Sequence, residues 1–136
     1  MNVKPVSFRS FFCPDGTTGS SFEPVGCFQD KSPRALPIFV KNFGMLLDWR
    51  NMNSSFVAII HACAENVSQR YGFQYFAVQF YRECWTGPNG GLTYDIHGKI
   101  DNCYEFGDYG VGQSRSSFVY RFVKGKLAVL FILKQR

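Results

Sequence analysis

The fold class that this sequence predicts is α+β: one amphipathic helix packed on a small, mostly antiparallel sheet, disulfide-stabilised and carrying long loops. Three observations carry that expectation. Residues 55–71 repeat apolar side chains at helical spacing, residues 73–81 form an almost unbroken apolar run, and five cysteines are scattered along the chain. The 136 residues are 46% apolar and include 15 Phe, 7 Tyr and 2 Trp. Each aromatic side chain buries a large area, so a chain of one-domain length can fold around them.

Residues 1–22 read as a linker or the end of a preceding segment, because Pro14-Asp-Gly-Thr-Thr-Gly-Ser-Ser21 has turn composition. The module proper is expected at 23–123. Val25–Phe28 is a short strand candidate, and Asp30–Pro33 reads as a turn. Arg34-Ala-Leu-Pro37 should be extended, since Pro37 disfavours the helical conformation at Leu36. Phe39 to Trp49 shows no decisive period.

The clearest element is a helix over Ser55–Tyr71. Phe56, Ile60, Cys63 and Val67 recur at i, i+4, i+7 and i+11 and so share one face. Ser54 is the expected N-cap and Gly72 the expected C′ residue. Phe73–Tyr81 follows, with only Gln74 and Gln79 interrupting it, which suits a central strand covered on both sides. Gly87-Pro-Asn-Gly-Gly91 is a turn, and Ser117–Val123 another strand. Residues 124–136 form a basic and apolar C-terminal extension, in which Leu127–Leu133 reads as a further strand.

Cys13 precedes the linker, which leaves Cys27, Cys63, Cys84 and Cys103 with three possible pairings. A helix–turn–strand unit brings Cys63 and Cys84 together, leaving Cys27 with Cys103. Closure of the Trp85–Asn102 loop by Cys84 and Cys103 is a nearly equal alternative. No pair has the spacing of a zinc or redox motif. Two N-x-S sequons occur, at Asn53 and Asn66. Asn66 lies at the edge of the buried helical stripe, which makes Asn53 the candidate glycosylation site. Spread cysteines and sequons together point to an oxidising, extracellular setting. The first residues lack an apolar signal region, so either the chain is part of a larger multidomain extracellular protein, which is the expectation, or the secretory reading does not hold.

The net charge of +5 does not indicate nucleic-acid binding. Residues 1–120 hold equal numbers of basic and acidic groups, and the whole excess lies in Arg121, Lys124, Lys126, Lys134 and Arg136. A phosphate-binding face needs clustered cations. No stretch reaches the roughly 20 apolar residues of a membrane span.

Gly26-Cys-Phe-Gln-Asp30, Arg34-Ala-Leu-Pro37, the helix carrying Cys63, Tyr71-Gly-Phe-Gln-Tyr-Phe-Ala-Val-Gln79 and Glu83-Cys-Trp-Thr-Gly87 occur in this order. They continue in Thr93-Tyr94 and Asp101-Asn-Cys103 and end in Phe118-Val-Tyr-Arg121. Together they resemble the WSC family of extracellular cysteine-rich modules, in a four-cysteine variant, over about residues 24–122. The usual eight cysteines are not present, and Cys84-Trp-Thr-Gly87 stands where the family has Cys-x-Cys-Gly. The resemblance implies a carbohydrate-binding or adhesive module.

A sugar site needs an aromatic face for the apolar side of the ring and planar polar groups for its hydroxyls. Trp85, Tyr94 and Tyr104 are the candidate platforms; Glu83, Asn89, Asp95, Asp101 and Asn102 are the candidate hydroxyl partners. The competing expectation makes Trp85 a core plug over a disulfide and Tyr94 a loop anchor. Asp30 and Arg34 read as a structural ion pair at the domain entry, with contact to a ligand as the other reading. Neither Glu83 with Asp101 nor His61 with Cys63 has a spacing that marks a catalytic pair, and Asp95, Asp101 and Asp108 read as solvated loop acids rather than calcium ligands. The expectation is therefore a module without catalysis, metal or cofactor, whose partner is carbohydrate or a glycoprotein. A structural matrix or adhesion scaffold with no small ligand is the alternative.

Overall fold

A computed structural model describes residues 9–12 and 18–123. Cys13, Leu127–Leu133 and the rest of the C-terminal extension lie outside the described residues. The architecture is α+β, as the sequence predicts: one long helix packs on a six-stranded sheet, and two disulfides are formed. The strands are β1 (Arg9–Phe12), β2 (Thr18–Gln29), β3 (Ile38–Asn42), β4 (Tyr75–Gln79), β5 (Glu83–Thr86) and β8 (Ser116–Val123), in the order β1-β2-β8-β4-β5-β3. Every described pairing is antiparallel. A separate hairpin pairs β6 (Tyr104–Phe106) with β7 (Tyr109–Val111).

Helix α1 spans Met52–Arg70 and begins three residues earlier than its periodicity suggests. The correction has a local cause. Asp48 accepts a hydrogen bond from the Arg50 backbone N–H and caps a 3-10 turn over Trp49–Asn51, which runs directly into the helix. Ser54 is thus inside the first turn, donating back to the Asn51 carbonyl, and is not the N-cap. The C-terminal end follows expectation. Gly72 has φ +69°, and its N–H returns to the Val67 carbonyl, a closure that a residue without Cβ makes at no steric cost.

The inward stripe of α1 (Phe56, Ile59, Ile60, Cys63, Ala64 and Val67) is completely buried. It packs on one sheet face, against Phe22, Phe76, Val78, Cys84, Phe118, Tyr120 and Phe122. Strand alternation sends the other side chains to the opposite face, where Phe28, Leu36, Tyr75, Ala77 and Val119 make a second, smaller cluster. All five residues of β4 are buried, because β4 lies centrally with apolar material on both faces.

Two further differences concern extent. Val25–Phe28 is the C-terminal part of a twelve-residue strand, which starts at Thr18 inside the stretch read as linker. The run Phe73–Tyr81 is strand only from Tyr75 to Gln79, since Phe80 and Tyr81 form a tight turn with φ +47° and +69°. Of the pairings that the sequence left open, Cys63–Cys84 and Cys27–Cys103 are the ones formed; Cys84–Cys103 is not. Cys63–Cys84 ties the inward face of α1 to β5, whereas Cys27–Cys103 ties β2 to the segment before β6.

Candidate functional site

In β5, Cys84 and Thr86 are buried on the side of the helix, so Glu83 and Trp85 project from the outer face of the sheet. This settles the position of Trp85: it does not sit over the disulfide, because its neighbour Cys84 points the other way. Antiparallel register sets Phe39 of β3 opposite Trp85 and Asn42 opposite Glu83. The Phe39 and Trp85 rings meet edge-on at 5.2 Å, and Phe39 is 49% exposed. The Trp85 indole N–H donates to Glu83 Oε1 at 3.2 Å.

Arg34 completes this group from the connection between β2 and β3. Its guanidinium lies 4.2 Å from the centroid of the Trp85 ring. The same guanidinium donates from Nη1 to Asp30 Oδ2 at 2.6 Å and to Gln79 Oε1 at 2.9 Å. The Asp30–Arg34 ion pair expected from the sequence is therefore formed. Asp30 is buried, and burial raises its carboxyl above the usual carboxylate range. The neighbouring Arg34 guanidinium pulls in the opposite direction without offsetting it. Asp30 Oδ1 and Gln79 Nε2 are buried and complete no hydrogen bond among the described residues.

The loop from Gly87 to Gly98 covers part of the same face. It contains a short helix, α2 (Gly90–Thr93), flanked by Asn89. Thr93 Oγ1 donates to the Ala35 carbonyl at 2.6 Å, and His97 Nε2 donates to the Pro33 carbonyl at 2.6 Å. These bonds hold the loop to the segment that carries Arg34. Tyr94 is stacked on Tyr75 at 5.3 Å and meets Phe28 edge-on at 5.1 Å. It is the loop's anchor. Asn89 and Asp95 stand exposed on this loop.

The remaining candidates lie elsewhere. Asp101 is exposed just before Cys103, and Asn102 Nδ2 donates to the Ser114 carbonyl at 3.0 Å. The Tyr104 ring is 5.6 Å from Phe56 on the helix side, and its hydroxyl donates to Asn53 Oδ1 at 2.7 Å. Of the eight candidate ligand residues, Glu83 and Trp85 are in direct contact. Tyr94, Asn89 and Asp95 belong to the adjoining loop. Tyr104 packs against the opposite side of the sheet.

Phe39 and Gln79 join the site without having been singled out in the sequence. Phe39 belongs to an apolar β-branched run, Ile38-Phe-Val40, that signals an edge strand once the aperiodic segment after it is separated off. Gln79 carried no signal beyond interrupting an apolar strand. Of the possible catalytic groups, Cys63 is locked in its disulfide, and His61 Nε2 lies 3.1 Å from the Tyr109 hydroxyl. Among the described residues no group of three His, Cys, Asp or Glu side chains is placed to hold a metal ion, and no helix is long and apolar enough to cross a membrane. Two open hollows of about 450 and 430 Å³ flank the start of α1. No family model, curated protein or solved structure matches this chain.

Proposed function

We propose that this chain is a non-catalytic extracellular binding module, related to the WSC-like modules that it resembles, which recognises carbohydrate or a glycosylated partner. The observation that carries the reading is the grouping of Trp85, Phe39, Arg34 and Glu83 on the outer sheet face. The exposed Phe39 ring, edge-on to a half-buried Trp85 that lies beside a carboxylate and a guanidinium, offers what a sugar requires: an apolar surface for its C–H groups and planar polar partners for its hydroxyls. Arg34 is held by Asp30 and Gln79, so little side-chain entropy remains to be lost on binding. The two disulfides support an oxidising compartment. The site is a face and not a cleft, so single-site affinity would be low and avidity would come from repetition.

The experiment is a glycan array probed with a multivalent fusion of the chain, alongside Phe39→Ala and Glu83→Gln variants. The reading expects a restricted set of glycans whose signal falls at least tenfold in both variants. Absence of any glycan signal from the folded wild type overturns it. The second reading, a structural adhesion scaffold, is favoured by one observation: Tyr94 is spent on packing against Tyr75 and Phe28.

A further inference from the structure

The turn between β4 and β5 is unusual for its residues. Phe80 and Tyr81 both have left-handed backbone conformations, and the Arg82 N–H closes the turn on the Gln79 carbonyl at 3.1 Å. Turns with positive φ at both central residues favour Asn-Gly, because bulky side chains are strained there. Tyr81 has a packing role, stacked on Phe56 and edge-on to Trp49 at 5.1 Å. Phe80 has no comparable burial. It is 43% exposed, with the Arg82 guanidinium 5.3 Å from its ring. A strained conformation that presents an aromatic ring to solvent asks for a use.

Its surroundings supply one. Phe80, Trp49, Met45 and Leu46 are four of the seven large apolar side chains exposed among the described residues. They come from two loops joined by the Phe43 N–H donating to the Arg82 carbonyl at 2.8 Å and by the Trp49–Tyr81 contact. Arg82 lies beside Phe80 and Gly44, Arg50 follows Trp49 in the chain, and the Lys41 ammonium is 5.6 Å from the Phe43 ring. Asp48 is the one acid between Ile38 and Met52; it accepts from the Arg50 N–H and the Asn51 side chain and is ion-paired with the Arg50 guanidinium at 3.5 Å. Glu83, the next acid along β5, accepts from Trp85. Among the described residues Lys41 and Arg82 have no acidic partner.

We infer that this tip docks on a membrane surface bearing anionic phospholipid headgroups. Met45 and Leu46 offer nothing to the hydroxyls of a sugar. Exposed aliphatic side chains with a tryptophan and flanking cations suit the boundary between headgroups and acyl chains. There the apolar groups leave water and the cations meet phosphate. The inference is independent of the glycan reading, since Phe80, Met45, Leu46 and Trp49 lie outside the Trp85 group.

The test is co-sedimentation of the full chain with vesicles of 70:30 phosphatidylcholine and phosphatidylserine, and with phosphatidylcholine alone, at low and high salt. Binding to the anionic vesicles is expected, weakening as salt rises, and falling at least tenfold in Phe80→Asn and in the Met45→Ser, Leu46→Ser pair. Phe80→Asn should keep or raise the Tm, because Asn accepts the left-handed conformation, so its loss of binding would not come from misfolding. Failure of the wild type to bind either vesicle overturns the inference, as does binding that both variants leave unchanged. Heparin binding or self-association lost in the same variants, with no vesicle binding, would reassign the patch to a sulfated chain or to a second copy.

Discussion

The Arg34 guanidinium lies over the Trp85 ring at 4.2 Å while it bonds Asp30 and Gln79 through one nitrogen. One side chain therefore links the connection after β2, the central strand β4 and the outward side chain of β5. A buried carboxylate, an amide and an indole share a single cation.

Asp30 makes stability depend on pH with a definite sign. Its folded pKa is raised above the ordinary 3.8, chiefly by burial. Stability from this group is present below the ordinary value and is lost as pH rises through the raised folded value. Asp30→Asn does not titrate, so the wild type should lose stability relative to this variant over that interval. Urea unfolding of both proteins from about pH 3 to pH 7 checks it. A wild type that gains on the variant as pH rises would mean that Arg34 outweighs burial.

Tyr120 is completely buried, accepts from the Gly110 N–H at 2.9 Å and donates to the Gly110 carbonyl at 2.7 Å. Tyr120→Phe leaves both Gly110 groups without this partner, which should cost about 1–3 kcal/mol. Gly110→Ala should also be costly, since its Cβ would lie 2.4 Å from the Phe118 ring. Denaturant midpoints should fall in both variants with little change in m.

The two disulfides should differ in accessibility. Cys63 and Cys84 are both 0% exposed, whereas Cys103 is only half-buried. Dithiothreitol under native conditions should therefore open Cys27–Cys103 first, read by alkylation and peptide mass spectrometry. Removal of Cys27–Cys103, with its separation of 76 residues against 21, should destabilise more by about 1 kcal/mol on the chain-entropy argument. Equal losses would show that native-state strain or residual unfolded structure decides the matter.

Asn53 should carry a glycan after secretion from a eukaryotic host, and Asn66 should not. Asn53 is exposed and uses its Oδ1 to accept from Tyr104, which leaves Nδ2 for the glycan. Asn66 Nδ2 instead donates to the Ala62 carbonyl at 3.0 Å on α1. Glycopeptide mass spectrometry distinguishes the sites, and occupancy at Asn66 alone would contradict the assignment.

Local rules made much of the fold legible. The spacing of Phe56, Ile60, Cys63 and Val67 placed one helical face in the core, and Gly72 ended the helix where only a left-handed residue closes it. The unbroken run around Tyr75–Gln79 marked a strand covered twice, and the pairing of Asp30 with Arg34 followed from their proximity in the chain. By itself, then, the sequence determined the elements whose signals lie within a few turns of backbone. The tertiary structure alone decided which surfaces face one another. Register set Phe39 beside Trp85, alternation turned Trp85 away from Cys84, and packing spent Tyr94 on Tyr75 while drawing Tyr104 to Asn53. Those outcomes depend on pairings between distant strands, and a one-residue change of register would send every such side chain to the opposite face.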